Sequence, residues 1–199
     1  MLTDSAIMQA MESGEIVISP FNRKNLGANS YDITIAPEVR RINKMNSCIV
    51  SLKHEYSNYS DFKLPFTILP REMLLFASKE RLGCLRRTCG IISPRSNLSR
   101  SGLIFQFSHL LDTGFNGIIS GSILNAAPHA ITIPENLRIA QIMFHNIEGE
   151  LLEAYNERKW SKNIGQTGIE NIFYRPDKEW LEGENQTTLL GENHEAENR

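Results

Sequence analysis

The spacing of apolar and polar positions divides the chain into a short amphipathic start, a long series of brief apolar runs, and a polar end. Residues "TDSAIMQAMESGE" predict a short helix: Thr3 or Asp4 can cap it, Ile7, Met8 and Met11 form an apolar stripe, and Gly14 stops it. "IVISPF" reads as a strand broken by Pro20, and "SYDITI" alternates like a half-buried strand. Residues 40–63 are mixed and polar and read as a meander or excursion. From 64 to 147 the pattern is consistently β. "FTILP", "MLLFAS", "CGIIS", "LIFQF", "GIISGSIL", "AITIP" and "IAQIMFHNI" are separated by turn residues such as Pro70-Arg71-Glu72, Thr113-Gly114 and Pro134-Glu135-Asn136. Many short strands at this spacing predict an antiparallel sandwich, jelly roll or barrel. After about residue 150 the composition turns polar, and from Glu182 it is acidic and rich in Asn, Gln and Thr, as a flexible tail would be.

Composition narrows the classes. The 199 residues suit one domain, or one domain with a tail, and 41% hydrophobic content is enough for a real core. A formal net charge of -2 argues against a general nucleic-acid binder, though not against a local basic pocket. Cys48, Cys84 and Cys89 are odd in number and match no paired zinc spacing, so reduced core thiols in a cytoplasmic protein are expected. No run is long enough to span a membrane, and the acidic N-terminus does not read as a secretory signal.

Five segments could carry chemistry. "SPRSNLSRSGL", residues 93–103, sets Arg95 and Arg100 among serines between two apolar runs. Guanidinium forks with hydroxyls and turn N–H groups suit phosphate oxygens, and a solvated loop is the plain alternative. "LLDTGFNG", residues 110–117, reads as a hairpin tip with Asp112 at its shoulder and Phe115 pointing back; alone, Asp112 would be a turn-former. In "SYDITI" Asp32 sits inside an apolar strand and needs a partner, either a cation or a metal-bound water. "NLRIAQIMF" carries Arg138 and Gln141 into a strand. "YNERKWSKNIGQTG", residues 155–168, is basic with glycine hinges at Gly165 and Gly168, and reads either as a flap over a polyphosphate or as a frayed linker. His109 reads as structural, and His129 and His145 lack a second ligand for zinc.

In this order the five segments resemble the superfamily of trimeric dUTPases and dCTP deaminases, over residues 2 to 168. "PFNRKNLGANSYDITI" is similar to its first motif, "PRSNLSRSGL" to the R-S-S-L-x-R-x-G-L motif of dCTP deaminases, "LLDTGFNG" to the I-D-x-G-[WFY]-x-G hairpin and "RIAQIMF" to the R-I-[AG]-Q-L-x-F strand. Tyr155, Lys162, Gln166 and Gly168 fall at the spacing of the deaminase lid, Y-x(6)-K-x(3)-Q-x-G. The resemblance implies a mainly β fold, a distorted barrel or jelly roll of the dUTPase-like type with a short N-terminal helix, over residues 1–175, with a flexible tail over 176–199. It implies a homotrimer with active sites between subunits, acting on a deoxypyrimidine nucleoside triphosphate with Mg²⁺ on the phosphates, and no nucleic-acid or membrane partner. Carried over by position, Arg95, Ser96, Asn97 and Arg100 would hold the triphosphate. Asp112 would lie near the 3′-hydroxyl and a reactive water, and Phe115 would stack under the sugar. Gln141, Tyr155, Lys162 and Gln166 would close over base and phosphates. Asp32 would support Mg²⁺ through water or buttress the site.

The departure is in the strand after the hairpin. Family deaminases read G-x-x-x-x-E there, and the glutamate shuttles protons while water attacks C4 of cytosine. In "GIISGSIL" the position five after Gly117 is Ser122, and no Asp or Glu occurs between Asp112 and Glu135. A hydroxyl is a poor general base, and losing such a group costs on the order of 10²–10⁴ in rate. Gly121 and Ser122 also make that wall small and uncharged. The expectation is therefore hydrolysis of a pyrimidine dNTP, dUTP first, to monophosphate and pyrophosphate, with Asp112 activating water. The alternatives are a dCTP deaminase and a catalytically inactive nucleotide-binding regulator.

Overall fold

A computed structural model describes residues 1–43, 59–159, 161, 163 and 165–169. Helix α1 (Asp4–Glu12) opens the chain, capped by the Thr3 side chain, which accepts from the Ala6 N–H, and it buries Ile7. Eleven strands follow among the described residues: β1 (Ile16–Ser19), β2 (Tyr31–Ile42), β3 (Tyr59–Lys63), β4 (Phe66–Ile68), β5 (Met73–Cys84), β6 (Thr88–Pro94), β7 (Leu103–Gln106), β8 (Leu110–Leu111), β9 (Asn116–Asn125), β10 (Ile131–Ile133) and β11 (Arg138–Asn146). A second helix of five residues, α2 (Ser96–Arg100), interrupts them after β6. The fold is mainly β, as the run of short apolar segments predicts.

The main sheet runs β7-β9-β5-β2-β11-β6-β8, with β1 paired to β5 and β3 to β2, and it curls into a half-barrel. β10 and β4 form a separate two-stranded piece. All recorded pairings are antiparallel. Two long strands make the curl possible. β2 pairs with β11 through Tyr31–Thr34, then turns its far half to β5 and β3. Along one edge, β5 meets β2 up to Ser78 and β1 from Arg81 onward. Both strands change partner at an irregularity, the kind of local kink that lets a sheet bend without losing its hydrogen bonds. The core lies inside the curl: Tyr31, Ile33, Val39, Leu74, Phe76, Leu82, Ile92, Ile123, Ile142 and Phe144 are almost wholly excluded from solvent.

The polar excursion expected over 40–63 is partly strand: β2 runs to Ile42, β3 begins at Tyr59, and Arg40 lies opposite Asp61. Residues 44–58 and the tail assigned to 176–199 lie outside the described residues, as do Cys48, Trp160 and Lys162.

Candidate active site

The candidate residues gather in two places. The first is a row across β2, β11 and β6, where Asp32 lies opposite Gln141 and Gln141 opposite Ser93. Residues directly opposite in a ladder share a face. Arg138 opens β11 opposite Thr34, and Arg95 leaves β6 with its N–H bonded to the Ile139 carbonyl at 3.1 Å. Both arginines turn onto one oxygen. Asp32 Oδ2 accepts from Arg95 Nη1 at 2.9 Å and from Arg138 Nη1 at 3.0 Å. Two cations on one carboxylate leave a net positive charge on a partly buried shelf. Asn25 Nδ2 fixes the strand beneath, donating to the Asp32 carbonyl and to Thr34 Oγ1 at 3.1 Å each. Beyond Arg95, α2 packs Leu98 against the core and leaves Ser96, Asn97 and Arg100 exposed.

The second place is the hairpin between β8 and β9. The Phe115 N–H closes it on the Asp112 carbonyl at 3.0 Å, and Thr113 Oγ1 donates to the Thr88 carbonyl at 2.8 Å. Gly114 has φ +93°, and a Cβ there would lie 2.8 Å from the Tyr155 nitrogen, so the tight seat of residues 154–156 on the turn requires glycine. Arg81 grips the far shoulder, with Nε to Asn116 Oδ1 at 2.7 Å and Nη2 to the Asn116 carbonyl at 3.0 Å. Asp112 is exposed, whereas Phe115 is 8% exposed, in the core and beside the Tyr155 ring at 6.1 Å. Phe115 and Tyr155 thus form an aromatic pair behind the hairpin.

β9 carries two hydroxyls on the face turned away from Ile119 and Ile123, and each meets a glutamine. Ser120 Oγ bonds Gln166 Nε2, and the Gln166 carbonyl accepts from the Ile118 N–H at 2.8 Å. Ser122 Oγ donates to Gln106 Oε1 at 3.0 Å, and those residues are partners across β7 and β9. The position expected to hold a proton-shuttling acid in a deaminase thus holds a buried hydroxyl whose hydrogen is engaged. Leu75 and Ala77 of β5 stand beside the two serines. Ser120, Gln106 and Arg81 carry no motif that would single them out in the sequence; only the strand register brings them to the site.

The two places are not adjacent within the chain. The hairpin bonds β6 at Thr88, and Arg95 follows its other end at Pro94. Seven residues of extended chain span about 20 Å. Gln141 stays with the arginines, while Tyr155 and Gln166 stay with the hairpin.

Burial governs the shifted titrations here. Desolvation raises the Cys89 thiol above its usual range, and the Asp112 carboxylate nearby adds to it; burial pushes Cys84 up to about 12. Neither is poised as a nucleophile. Glu80 is 2% exposed, and burial raises its carboxyl above the ordinary glutamate value. His109 bonds the Ile92 carbonyl through Nδ1 at 2.9 Å and packs on Phe107, a structural placement. Among the described residues no three His, Cys, Asp or Glu side chains are placed to hold a metal ion.

A profile of dCTP deaminase-like proteins matches residues 1–147. The chain is 24% identical to the dUMP-forming dCTP deaminase of Aquifex aeolicus over 168 residues, 84% of this chain and 91% of that one. It is 29% identical to a dCTP deaminase of Buchnera aphidicola, over 84% of this chain and 95% of that one. Among solved structures, the 2′-deoxycytidine 5′-triphosphate deaminase of Agrobacterium tumefaciens matches 76% of the chain with a TM-score of 0.59 at 15% identity. The match covers 49% of that neighbour, so the chain spans about half its length, and the likeness speaks for the fold.

Proposed function

This chain belongs to the dCTP deaminase-like family, and from that premise we propose that it binds a pyrimidine deoxynucleoside triphosphate and hydrolyses it, dUTP first, to the monophosphate and pyrophosphate. The observation that carries this reading is the contrast along one hairpin. Asp112 stands exposed at its shoulder, while Ser122, ten residues on, is buried with its hydroxyl hydrogen given to Gln106. A carboxylate is available for water activation, and none is available beside the base. The name "dUMP-forming" on a relative supports it, since it names a monophosphate product within the family.

In this mechanism Asp112 accepts a proton as water attacks the α-phosphorus. The new bond is from water oxygen to phosphorus; the broken bond frees pyrophosphate, and the proton passes to solvent. The arginine shelf meets the charge that develops on the phosphate oxygens, where a preorganised donor is worth most. Asp32 is already paired to two guanidiniums, which favours the buttress over the metal role. The described residues fit no protein-held Mg²⁺, so the ion enters only as a companion of the triphosphate, neutralising its charge. The separation of about 20 Å along β6 exceeds the reach between an α-phosphate and its own triphosphate grip. It supports a cleft in which one subunit supplies Arg95, Ser96, Asn97 and Arg100 and another supplies the hairpin, as in a homotrimer. Tyr155 and Gln166 would belong to the hairpin's side, and Phe115 would back the sugar through its contact with Tyr155.

The second reading, dCTP deamination, is favoured by the names of the relatives. Incubation with dUTP and with dCTP in Mg²⁺, followed by chromatography and an ammonia assay, separates the two. Pyrophosphate and dUMP from dUTP with no ammonia from dCTP is the expected result. Ammonia from dCTP would overturn it in favour of the deaminase. Tight binding without turnover would make the protein a nucleotide-dependent regulator.

A further inference from the structure

Resting on the reading of the Asp32 shelf as a phosphate grip, we propose that Glu80 is a positioning residue for that grip, holding the strand segment that sets Asp32 between its two arginines.

The argument begins at the irregularity in β5. The recorded ladder between β2 and β5 pairs Ile35 with Ser78, and the next pairing of β5 on its β9 side resumes at Arg81. The Thr34 N–H, one residue before Ile35, falls beside the displaced segment. Glu80 folds inward there, and its Oε2 accepts that N–H at 2.8 Å. Thr34 is in turn tied to Asp32 by Asn25, whose amide nitrogen donates to the Thr34 hydroxyl and to the Asp32 carbonyl. Arg138 lies opposite Thr34 in the ladder with β11 and donates to Asp32. A continuous set of contacts therefore runs from Glu80 through Thr34 and Asn25 to Asp32, Arg95 and Arg138.

Fold stability alone is a weak reason for this arrangement. A backbone N–H at a bulge is ordinarily satisfied by a carbonyl or a water. A carboxylate that is 2% exposed costs free energy to bury, and among the described residues no salt bridge reaches Glu80. Desolvation accordingly dominates its titration, ahead of the Thr34 hydrogen bonds and the charge of Lys79. A costly group kept in contact with a functional cluster is what precise placement of that cluster requires. The same segment also serves the other half of the site, since Ser78 Oγ accepts from the Ile119 N–H at 2.9 Å and Arg81 grips Asn116. Residues 78–81 are thus the point from which both halves are braced.

The test compares the full chain with Glu80→Ala, Glu80→Gln and Glu80→Asp. Gln retains an acceptor at the same reach, and Asp retains the charge but draws the acceptor back. Three quantities are read: affinity for the α,β-imido analogue of dUTP by calorimetry, KM and kcat for pyrophosphate release from dUTP, and the Nε–H resonances of Arg95 and Arg138 by NMR. Asp and Ala should weaken analogue binding and raise KM by about tenfold, with kcat within about twofold, and should shift both arginine resonances. Gln should restore binding and spectra to the wild-type values. Should Ala fail to fold, Asp against Gln carries the comparison. Wild-type affinity and unshifted arginines in Asp would overturn the proposal, as would a loss in Gln equal to that in Asp. If the wild type binds no nucleotide, the phosphate-grip reading fails, and the arginine resonances still decide whether Glu80 holds the shelf.

Discussion

The two ends of β6 solve different physical problems. At the Pro94 end, charge is concentrated: Arg95 and Arg138 share one carboxylate on a partly exposed shelf. Along β9, the strand that leaves the hairpin at the Thr88 end, the wall is neutral and closed, with Ser120 and Ser122 bonded to Gln166 and Gln106. The first arrangement suits a ligand's anionic portion, which stays hydrated and tolerates small displacements. The second suits an uncharged ring, where amides and hydroxyls discriminate by donor and acceptor at close range. Asp112 stands exposed at the hairpin's edge. On the proposed reading, the difference teaches that chemistry belongs to the exposed carboxylate at the hairpin, brought to the phosphates by a second chain, rather than to the neutral wall of β9.

The comparison can be broken at either end. The largest effect is expected at the hairpin: Asp112→Asn should slow pyrophosphate release on the order of 10²–10⁴-fold while leaving the calorimetric affinity for the imido analogue nearly intact, and an unchanged rate would remove Asp112 from the mechanism. On the charged side, Arg95→Ala should weaken analogue binding by about 10–100-fold, in line with the loss of a charged hydrogen bond of about 1.5–3 kcal/mol; equal affinity would mean that the shelf does not touch phosphate. On the neutral side the expected effect falls on stability. A Cβ at Gly121 would lie 2.4 Å from the Gln106 carbonyl oxygen and 2.9 Å from Phe107 Cβ, so Gly121→Ala should destabilise the fold by about 1–3 kcal/mol, read from urea midpoints. Smallest is Ser122→Ala, which removes only the bond to Gln106 and should cost about 0.5–1.5 kcal/mol with pyrophosphate release maintained. A collapse of turnover in that variant would bring the hydroxyl into the chemistry and erase the distinction between the regions.

The β character was legible because each short strand alternates or runs apolar and ends at Gly, Pro or Asn. The helix at Asp4–Glu12 was legible from its cap and its stripe. The order of the five motifs resembles that of the family whose profile matches residues 1–147. What escaped the reading depends on long-range register. "MLLFAS" was read as one strand, but β5 continues through Lys79, Glu80 and Arg81 to Cys84, because the irregularity there lets one of three consecutive charges turn inward and another reach the hairpin. The pairing of Arg95 with Asp32 joins residues 63 apart, and local pattern carries no trace of it. A partner for Asp32 was required by its apolar surroundings; which cation, and that there are two, was not. Phe115 points back into the core, as the hairpin pattern predicts, and the ring it meets belongs to Tyr155, forty residues on. Lys162, expected in the same flap, lies outside the described residues.

β6 can also be seen as a spacer of fixed length, with a grip at one tip and a reactive edge near the other. If both serve a single cleft, a solitary polypeptide is fully folded yet silent, because it holds two unmatched halves. Turnover would then report on assembly: specific activity would fall on dilution while the circular dichroism spectrum stayed constant. Mixing a chain damaged only at Arg95 with one damaged only at Asp112 would regenerate intact clefts from two inactive preparations.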